Sequence, residues 1–357
     1  MALTARRPAP AWTRRGMVVG ALAFLALAST ALLWAKWLPY RARIGTIGAT
    51  GRYTSPPTNL QRSVGSIANP ADAWHFATTY LAAIWPALVA ALVISAALTV
   101  LLPGVWVRNG LGRGGALRRT GIATALSLPS MMCTCCAAPV AVTLRRRGAG
   151  AAQAAAYWLG NPLLNPAVLV FVALLLPWPF VVVRVVAGVV LVAGVSWLCG
   201  RLDGRAPASP ATTTPLGTDA PPAGLSEATR RITGTALRLG VLFLPEYVLA
   251  VFVAGLFVGA VPHLAHDATA AGVLAILAVV ATLFVIPTGG EIPLVMGALA
   301  GGLGNQVATV LLIALPALSA PSIIMVRRAL PARALAAAAA CVAAGSFVAA
   351  LIVGALG

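Results

Sequence analysis

Charged residues are scarce in this sequence of 357 residues: only 9% are Asp, Glu, Lys or Arg, and 60% are hydrophobic. About a quarter of the residues in a soluble domain are charged, so this composition excludes an ordinary soluble protein. Several apolar runs reach the roughly 20 residues that are needed to cross a bilayer. The composition therefore predicts an all-α polytopic membrane protein, and it leaves a channel, a transporter and a membrane enzyme as alternatives.

Acidic residues are the rarest charged class, since seven Asp and Glu oppose 25 Lys and Arg. A net charge of +18 can indicate nucleic-acid binding, but here most Arg residues form short clusters beside apolar runs. Such clusters are typical of the cytoplasmic loops of membrane proteins. The expected partners are therefore the lipid bilayer and a small solute or ion, with no nucleic acid. The oligomeric state is left open.

Two further absences narrow the function. The five Cys residues lack the even spacing of a structural disulfide framework. The sequence also lacks a Walker motif, so direct ATP coupling within this chain is not expected. We expect no cofactor and no enzymatic activity.

The apolar runs and their proline and glycine residues predict about seven spanning helices and two interrupted segments. The spans lie at about 17–38, 76–102, 150–176, 180–199, 233–260, 303–325 and 334–355, and the interrupted segments at about 120–144 and 270–300. The first run follows Arg residues, as a signal peptide does, but it is long enough to span and has no clear cleavage site. We therefore expect a retained helix.

The stretch 201–231 is rich in Pro, Thr, Ala and Gly and predicts a flexible cytoplasmic linker. It divides the chain into an N-terminal helix and outer loop at 1–73, a first membrane repeat at 74–200, and a second membrane repeat at 232–357. Residues of the two repeats match at an offset of 154 positions. The matching pairs are Pro139 and Pro293, Gly148 and Gly302, Pro162 and Pro316, and Asn165 and Ser319, with Pro166 and Pro321 one position off.

Basic clusters lie at opposite ends of the matching segments. Arg145–Arg147 follow the first interrupted segment, whereas Arg327 and Arg328 end the second broken helix. Under the positive-inside rule the two repeats then have opposite orientations, with the N-terminus and the linker in the cytoplasm. We therefore predict an inverted repeat in the cell membrane, an architecture that many secondary transporters use.

Non-helical backbone at membrane depth is tolerated only inside protein or beside water, so the breaks predict the transport site. In the first repeat they read LPSMMCTCCAAP and GNPLLNP, and in the second IPTGGEIP and LPALSAPS. Proline removes a backbone donor and breaks a helix. We assign this structural role to Pro139, Pro162, Pro166, Pro293, Pro316 and Pro321.

Five sulfur atoms fall within six residues of the first break, in Met131, Met132, Cys133, Cys135 and Cys136. Soft ligands of this kind select thiophilic species such as Cu(I), Zn(II) or trivalent arsenic. The Cys-x-Cys spacing brings two thiols close enough to chelate in an extended or turn conformation. The three Cys residues are predicted to bind substrate, and a resident metal is left open. The alternative is that they are small apolar fillers, as is expected for the isolated Cys199 and Cys341.

Four polar residues of the breaks are further candidates for substrate binding. Asn161 and Asn165 each precede a proline, and their amides either bind substrate or cap half-helices. Thr288 and Ser319 are the corresponding candidates in the second repeat.

Two acidic residues are candidates for proton coupling. An ionisable residue at membrane depth indicates function, and Glu291 lies in the apolar setting of GGEIP. Glu246, after Pro245, is a second candidate, with an acid near the membrane interface as its alternative. His263, His266 and Asp267 resemble a metal cluster, although a solvated turn is more usual in a predicted outer loop.

The Cys-x-Cys turn, Pro139, LRRRGAG and NPLLNP resemble the predicted permease family that includes the ArsP organoarsenical efflux permeases. The segment GGEIP followed by LLIALPALSAPS is similar to that family's second motif. The family usually has a Cys-Ser-Cys-Gly turn, whereas Thr134 and Cys136 replace its Ser and Gly here. The resemblance covers about 120–170 and 280–325 and implies an efflux permease, for trivalent organoarsenicals or metals.

The leading hypothesis is thus a secondary transporter. The first alternative is a membrane thiol–disulfide electron carrier, which generally places one reactive Cys in each repeat. Here Gly289 and Gly290 stand opposite Cys135 and Cys136, which disfavours that alternative. A channel or an assembly subunit is the third possibility.

Overall fold

The computed structural model describes residues 12–53, 69–112, 114–204, 220–256 and 271–356. Within these ranges the regular structure is helical and contains no strand, which confirms the predicted all-α class. The α-helices are α1 Arg14–Leu32, α2 Leu38–Thr50, α3 Pro70–Leu101, α4 Gly104–Gly112, α5 Ala116–Ser127, α6 Thr134–Arg146, α7 Ala151–Leu163, α8 Pro166–Leu175, α9 Trp178–Leu202, α10 Leu225–Leu256, α11 Ala271–Leu283, α12 Glu291–Ala300, α13 Gly304–Ala317, α14 Ala320–Val326 and α15 Ala332–Leu356.

Among the described residues, seven helical segments are long and apolar enough to cross a membrane, as the sequence predicts. Two of them, α7–α8 and α13–α14, contain a break. The shorter helices α5–α6 and α11–α12 form the two interrupted hairpins. The seven segments are Arg14–Thr50, Pro70–Leu101, Ala151–Leu175, Trp178–Leu202, Leu225–Leu256, Gly304–Val326 and Ala332–Ala355.

The first helical segment continues beyond the predicted end near residue 38. A π-helical turn, Leu33–Trp37, connects α1 to α2. Pro39 has no N–H for the carbonyl of Ala35, and a wider turn accommodates this loss, with Leu38 N–H donating to the Leu33 carbonyl. The helix ends at Gly51, whose φ of +63° suits a left-handed cap. Residues 39–50 are therefore helical and not part of a loop.

The helix bounds repeat at nearly the same separation as the matching residues. α9 and α15 each have 25 residues and begin 154 positions apart, at Trp178 and Ala332. α8 and α14 also begin 154 positions apart, at Pro166 and Ala320. We call residues 70–204 the first half and 225–356 the second half. Their agreement supports the predicted duplication, whereas the opposite membrane orientation stays a prediction.

The two halves pack through equivalent helices, α3 against α10 and α9 against α15. Within each half, the broken helix packs on the last long helix, α7 on α9 and α13 on α15. Gly188 of α9 permits close contact with the first break, because a Cβ there would lie 2.8 Å from Leu164 Cδ2. This packing encloses both breaks in the protein interior.

Candidate transport site

The tip of the first hairpin is a sharp turn that leads into the buried start of α6. A short 3-10 turn, Leu128–Ser130, ends α5, and Met131 then adopts a left-handed conformation with φ of +47°. This conformation is rare for residues other than glycine and is concentrated at functional sites. Cys133 follows as the N-cap of α6. The turn thus places the Cys cluster at a helix start.

The three thiols of this cluster contact each other and a hydroxyl group of the second half. Cys133 Sγ and Cys136 Sγ are 3.3 Å apart, because residues three positions apart share a helix face. Cys135 Sγ lies 3.3 Å from Ser319 Oγ in the second half, and its side chain also interacts with that of Cys133. All three side chains are buried. We call Cys133 and Cys136 the thiol pair; chelation by the Cys-x-Cys spacing of Cys133 and Cys135 stays a prediction.

The structure does not combine these thiols with other metal ligands. Within the described ranges, no group of three or more His, Cys, Asp or Glu side chains could hold a metal ion. The predicted cluster of His263, His266 and Asp267 lies outside the described residues.

Asn161 fastens the hairpin tip to the first broken helix. Its Oδ1 accepts hydrogen bonds from Ser130 Oγ and, at 3.2 Å, from Met132 N. Its Nδ2 donates to the carbonyl of Tyr157 at 2.8 Å. Trp158 Nε1 also donates to the carbonyl of Thr134 at 3.2 Å. Asn161 therefore positions the turn that carries the thiols.

Asn165 and Ser319 cap equivalent half-helices. Asn165 Oδ1 accepts from the N–H groups of Ala167 and Val168, at 3.1 and 3.3 Å, at the start of α8. Ser319 forms a reciprocal capping box with Ser322 at the start of α14. The Nδ2 of Asn165 is buried and has no partner among the described residues. Its amide thus caps a helix and retains a free donor.

Glu291 begins α12 at the second hairpin and is fully buried. One of its oxygens, Oε1, lies 3.4 Å from Arg184 Nη2 in α9. Gly289 precedes it with φ of +83°, and a Cβ at Gly289 would lie 2.6 Å from Tyr53 Oη. Burial raises the pKa of Tyr53, and the nearby charge of Glu291 raises it further. The Tyr53 phenol therefore stays protonated at neutral pH.

Arg184 connects the breaks of the two halves. Its Nη2 donates at 2.8 Å to the carbonyl of Pro162, and its Nη1 donates to the carbonyl of Leu312. In a continuous helix these carbonyls would accept from residues 166 and 316, which are both proline and have no N–H. The guanidinium thus satisfies carbonyls that two of the repeated prolines leave free.

Arg184 was not among the residues predicted for the site, although its position in the sequence indicates a functional role. It is a lone charge in the apolar run PFVVVRVVAGVV, and an ionisable residue within a membrane span indicates a functional role. Five of the six predicted prolines lie beside a break, whereas α6 continues through Pro139, so the first hairpin is interrupted at Leu128–Cys133 and not at Pro139. Pro139, Pro162 and Pro316 are inside α6, α7 and α13, whereas Pro166, Pro293 and Pro321 are in the first turns of α8, α12 and α14.

A cavity of about 310 Å³ joins the tips of both hairpins to the first helical segment. Cys133 lines it from the first hairpin, and Pro287 and Thr288 line it from the second. Lys36 and Arg43 line it from the π-helical turn and α2. The cavity therefore opens beside Cys133, one member of the thiol pair, and Cys136 lies behind it.

Glu246 occupies a different environment from Glu291. It lies on α10 and is partly exposed, with Oε1 3.0 Å from Arg327 Nη2 and 2.8 Å from Arg328 Nη2. These Arg residues follow α14 directly. Glu246 is thus paired with the basic cluster of the second half, and it does not line the cavity at the hairpin tips.

Seven membrane-length helical segments together with two broken hairpins define a multi-pass integral membrane protein of the permease class. The model of the predicted permease family ArsP_1 matches residues 71–355, so the chain belongs to this family and the resemblance noted in the sequence is confirmed. UPF0718 protein YraQ of Escherichia coli (strain K12) is 40% identical over 324 residues, which cover 87% of this chain and 88% of that relative. No solved structure matches the chain.

Proposed function

We propose that this permease is an efflux secondary transporter for a small thiophilic solute, with a trivalent organoarsenical as the first candidate and a soft metal ion as the second. The observation that supports the proposal is the thiol pair, whose sulfur atoms lie 3.3 Å apart at the turn of a broken hairpin. Two adjacent thiols bind a soft centre far better than one thiol does. Asn161, Asn165, Thr288 and Ser319 complete the predicted path beside this pair.

The chemistry of two thiols favours arsenic over a metal ion. An organoarsenous acid has one carbon substituent and two hydroxyl groups on arsenic. Two As–S bonds would form with Cys133 and Cys136 as two As–O bonds break, and two water molecules would carry away the thiol protons. Arsenic keeps its oxidation state in this exchange. A structural metal site usually needs four ligands, and the described residues contain no larger ligand group here.

Glu291 is proposed as the proton-coupling residue, with Glu246 as the second candidate. Its carboxylate is buried opposite Arg184, which also holds carbonyls from both halves. Protonation of Glu291 would remove the negative partner of Arg184 and weaken a contact between the halves. In an inverted repeat, a change at that interface is suited to alternating access. The proposal includes a cell-membrane location with the N-terminus and the linker in the cytoplasm.

Uptake of methylarsenous acid into everted membrane vesicles tests the proposed substrate class. The double variant Cys133→Ser/Cys136→Ser should lose transport, because a hydroxyl group binds trivalent arsenic poorly. The matched control is Cys199→Ser/Cys341→Ser, which removes two thiols from α9 and α15 and should transport normally. Equal uptake by both double variants would show that the thiol pair is not part of the transport pathway.

Imposed pH gradients in the same vesicles test the coupling. Wild-type uptake should increase when the vesicle interior is acidic, and Glu291→Gln should transport at a rate that the gradient does not alter. If uptake still responds to the pH gradient in Glu291→Gln and no longer responds in Glu246→Gln, the proton-coupling residue is Glu246.

One observation favours a second candidate, the thiol–disulfide electron carrier. Cys133 and Cys136 form a Cys-x-x-Cys pair at a helix start, a setting that makes thiols reactive. Oxidation of the pair would form one S–S bond and release two protons and two electrons, which would reduce a partner disulfide to two thiols. Trapping with a thiol-alkylating reagent after oxidation and reduction distinguishes the two functions. A carrier requires a reversible Cys133–Cys136 disulfide, whereas the transporter works with both thiols reduced.

A further inference from the structure

The cavity at the hairpin tips is unusual in its charge. Two cationic side chains, Lys36 and Arg43, line its wall, and its lining residues include no Asp or Glu. Lys36 is the only Lys in the chain and is 8% exposed. No carboxylate of the described residues forms an ion pair with either side chain. A buried ammonium group without a counter-charge is strongly unfavourable.

The protein itself compensates only part of this positive charge. Lys36 Nζ lies 5.4 Å from the centre of the Tyr40 ring, and such a cation–π contact offsets only part of the cost of burying the charge. Lys36 is also close enough to Cys133 for electrostatic interaction. A Cys133 thiolate would balance one cation. The second cation would still face the cavity without a negative partner.

An unused hydrogen-bonding group lies in the same wall. Thr288 Oγ1 is buried and has no partner among the described residues. A buried polar group without a partner is unfavourable unless a bound molecule or water satisfies it. The cavity therefore presents a soft thiol, two cations and a free hydroxyl group to one small volume.

We propose that this cavity binds a small solute that carries both a thiol-reactive atom and a negative charge, with the reactive atom at Cys133 and the charge beside Lys36 and Arg43. This inference rests on the proposed transport function and specifies its substrate as an anion. The same cavity would disfavour free metal cations, because both of its charged side chains repel them.

Two probes with the same arsenic group and different charges test the inference. Phenylarsine oxide is neutral, whereas 4-carboxyphenylarsine oxide is an anion at neutral pH. Dissociation constants for the full-length protein in nanodiscs of zwitterionic lipid are measured by calorimetry. We expect the anion to bind at least about tenfold more tightly, as is usual for a close charge pair away from bulk water.

Charge variants show whether the cavity causes this preference. In Lys36→Met the ratio of the two dissociation constants should fall toward one, and Lys36→Arg should restore much of it. Arg43→Gln should lower the ratio too and serves as the second variant if Lys36→Met does not fold. The control is Arg41→Gln, an exposed residue of α2 that does not line the cavity. Its ratio should match the wild-type ratio.

The outcomes separate this inference from the proposed function. If both probes bind equally in the wild-type protein, or if Lys36→Met and Arg43→Gln retain the full preference, the anion inference is wrong and the thiol site stands. If neither probe binds, or if both bind undiminished to Cys133→Ser/Cys136→Ser, the proposed function fails and the anion inference fails with it.

Discussion

The two hairpin breaks share a backbone pattern and differ in the groups to which their side chains bind. The first break carries the thiol pair, whose sulfur atoms contact each other, and Cys133 lines a cavity. The second break carries Glu291, whose carboxylate pairs with Arg184 of the first half. Both breaks line that cavity, but only the first contributes a thiol to it, whereas the second is also held in a network that joins the halves.

The largest expected effect is on the network of the second break. Arg184→Met leaves Glu291 buried without a positive partner and frees the carbonyls of Pro162 and Leu312. Loss of one partner of a buried pair lowers the free energy of unfolding by about 3–5 kcal/mol. Denaturant unfolding in detergent micelles measures the change, with Arg201→Gln on the exposed face of α9 as the control.

The double variant Arg184→Met/Glu291→Gln sharpens this prediction. It removes both charges, so it should recover part of the stability that the single variant loses. A single variant as stable as the wild-type protein would show that the pair does not join the halves.

An intermediate effect is expected at the first break, on binding and not on stability. Cys136→Ser removes one member of the thiol pair and should weaken the binding of phenylarsine oxide by about 100-fold, because the second arsenic–sulfur bond is lost. Cys199→Ser, in α9, is the control, and Cys135→Ser is the comparison variant, since Cys135 contacts both Ser319 and Cys133. Calorimetry measures these constants. A greater loss in Cys135→Ser would identify the Cys-x-Cys pair as the ligand.

The smallest effect is expected at the two equivalent caps. Asn165→Ala and Ser319→Ala each remove a helix N-cap and should lower the free energy of unfolding by about 1 kcal/mol. Only Ser319 touches a thiol, so only Ser319→Ala should also change the rate at which Cys135 is alkylated. Unfolding curves and alkylation rates measure the two effects. An altered alkylation rate in Asn165→Ala would contradict this difference.

The sequence was sufficient for the spans and their breaks, because apolar run length and proline act locally. It was not sufficient for Arg184, whose partners Leu312 and Glu291 are more than 100 positions away. The sequence also could not show which thiols lie next to each other, since that depends on where α6 begins. A helix that starts at Thr134 brings Cys133 next to Cys136, whereas an extended turn would favour Cys135.

The contacts of Arg184 have a consequence for biogenesis. During translation, α9 emerges before Leu312 and Glu291 have been synthesised, so the guanidinium enters the membrane with only the Pro162 carbonyl to receive it. An Arg within an inserting helix opposes insertion, by up to about 3 kcal/mol at the helix centre and by less at Arg184, which is near the start of α9. We therefore expect the Arg184 guanidinium to gain its full set of partners only when the second half is in place.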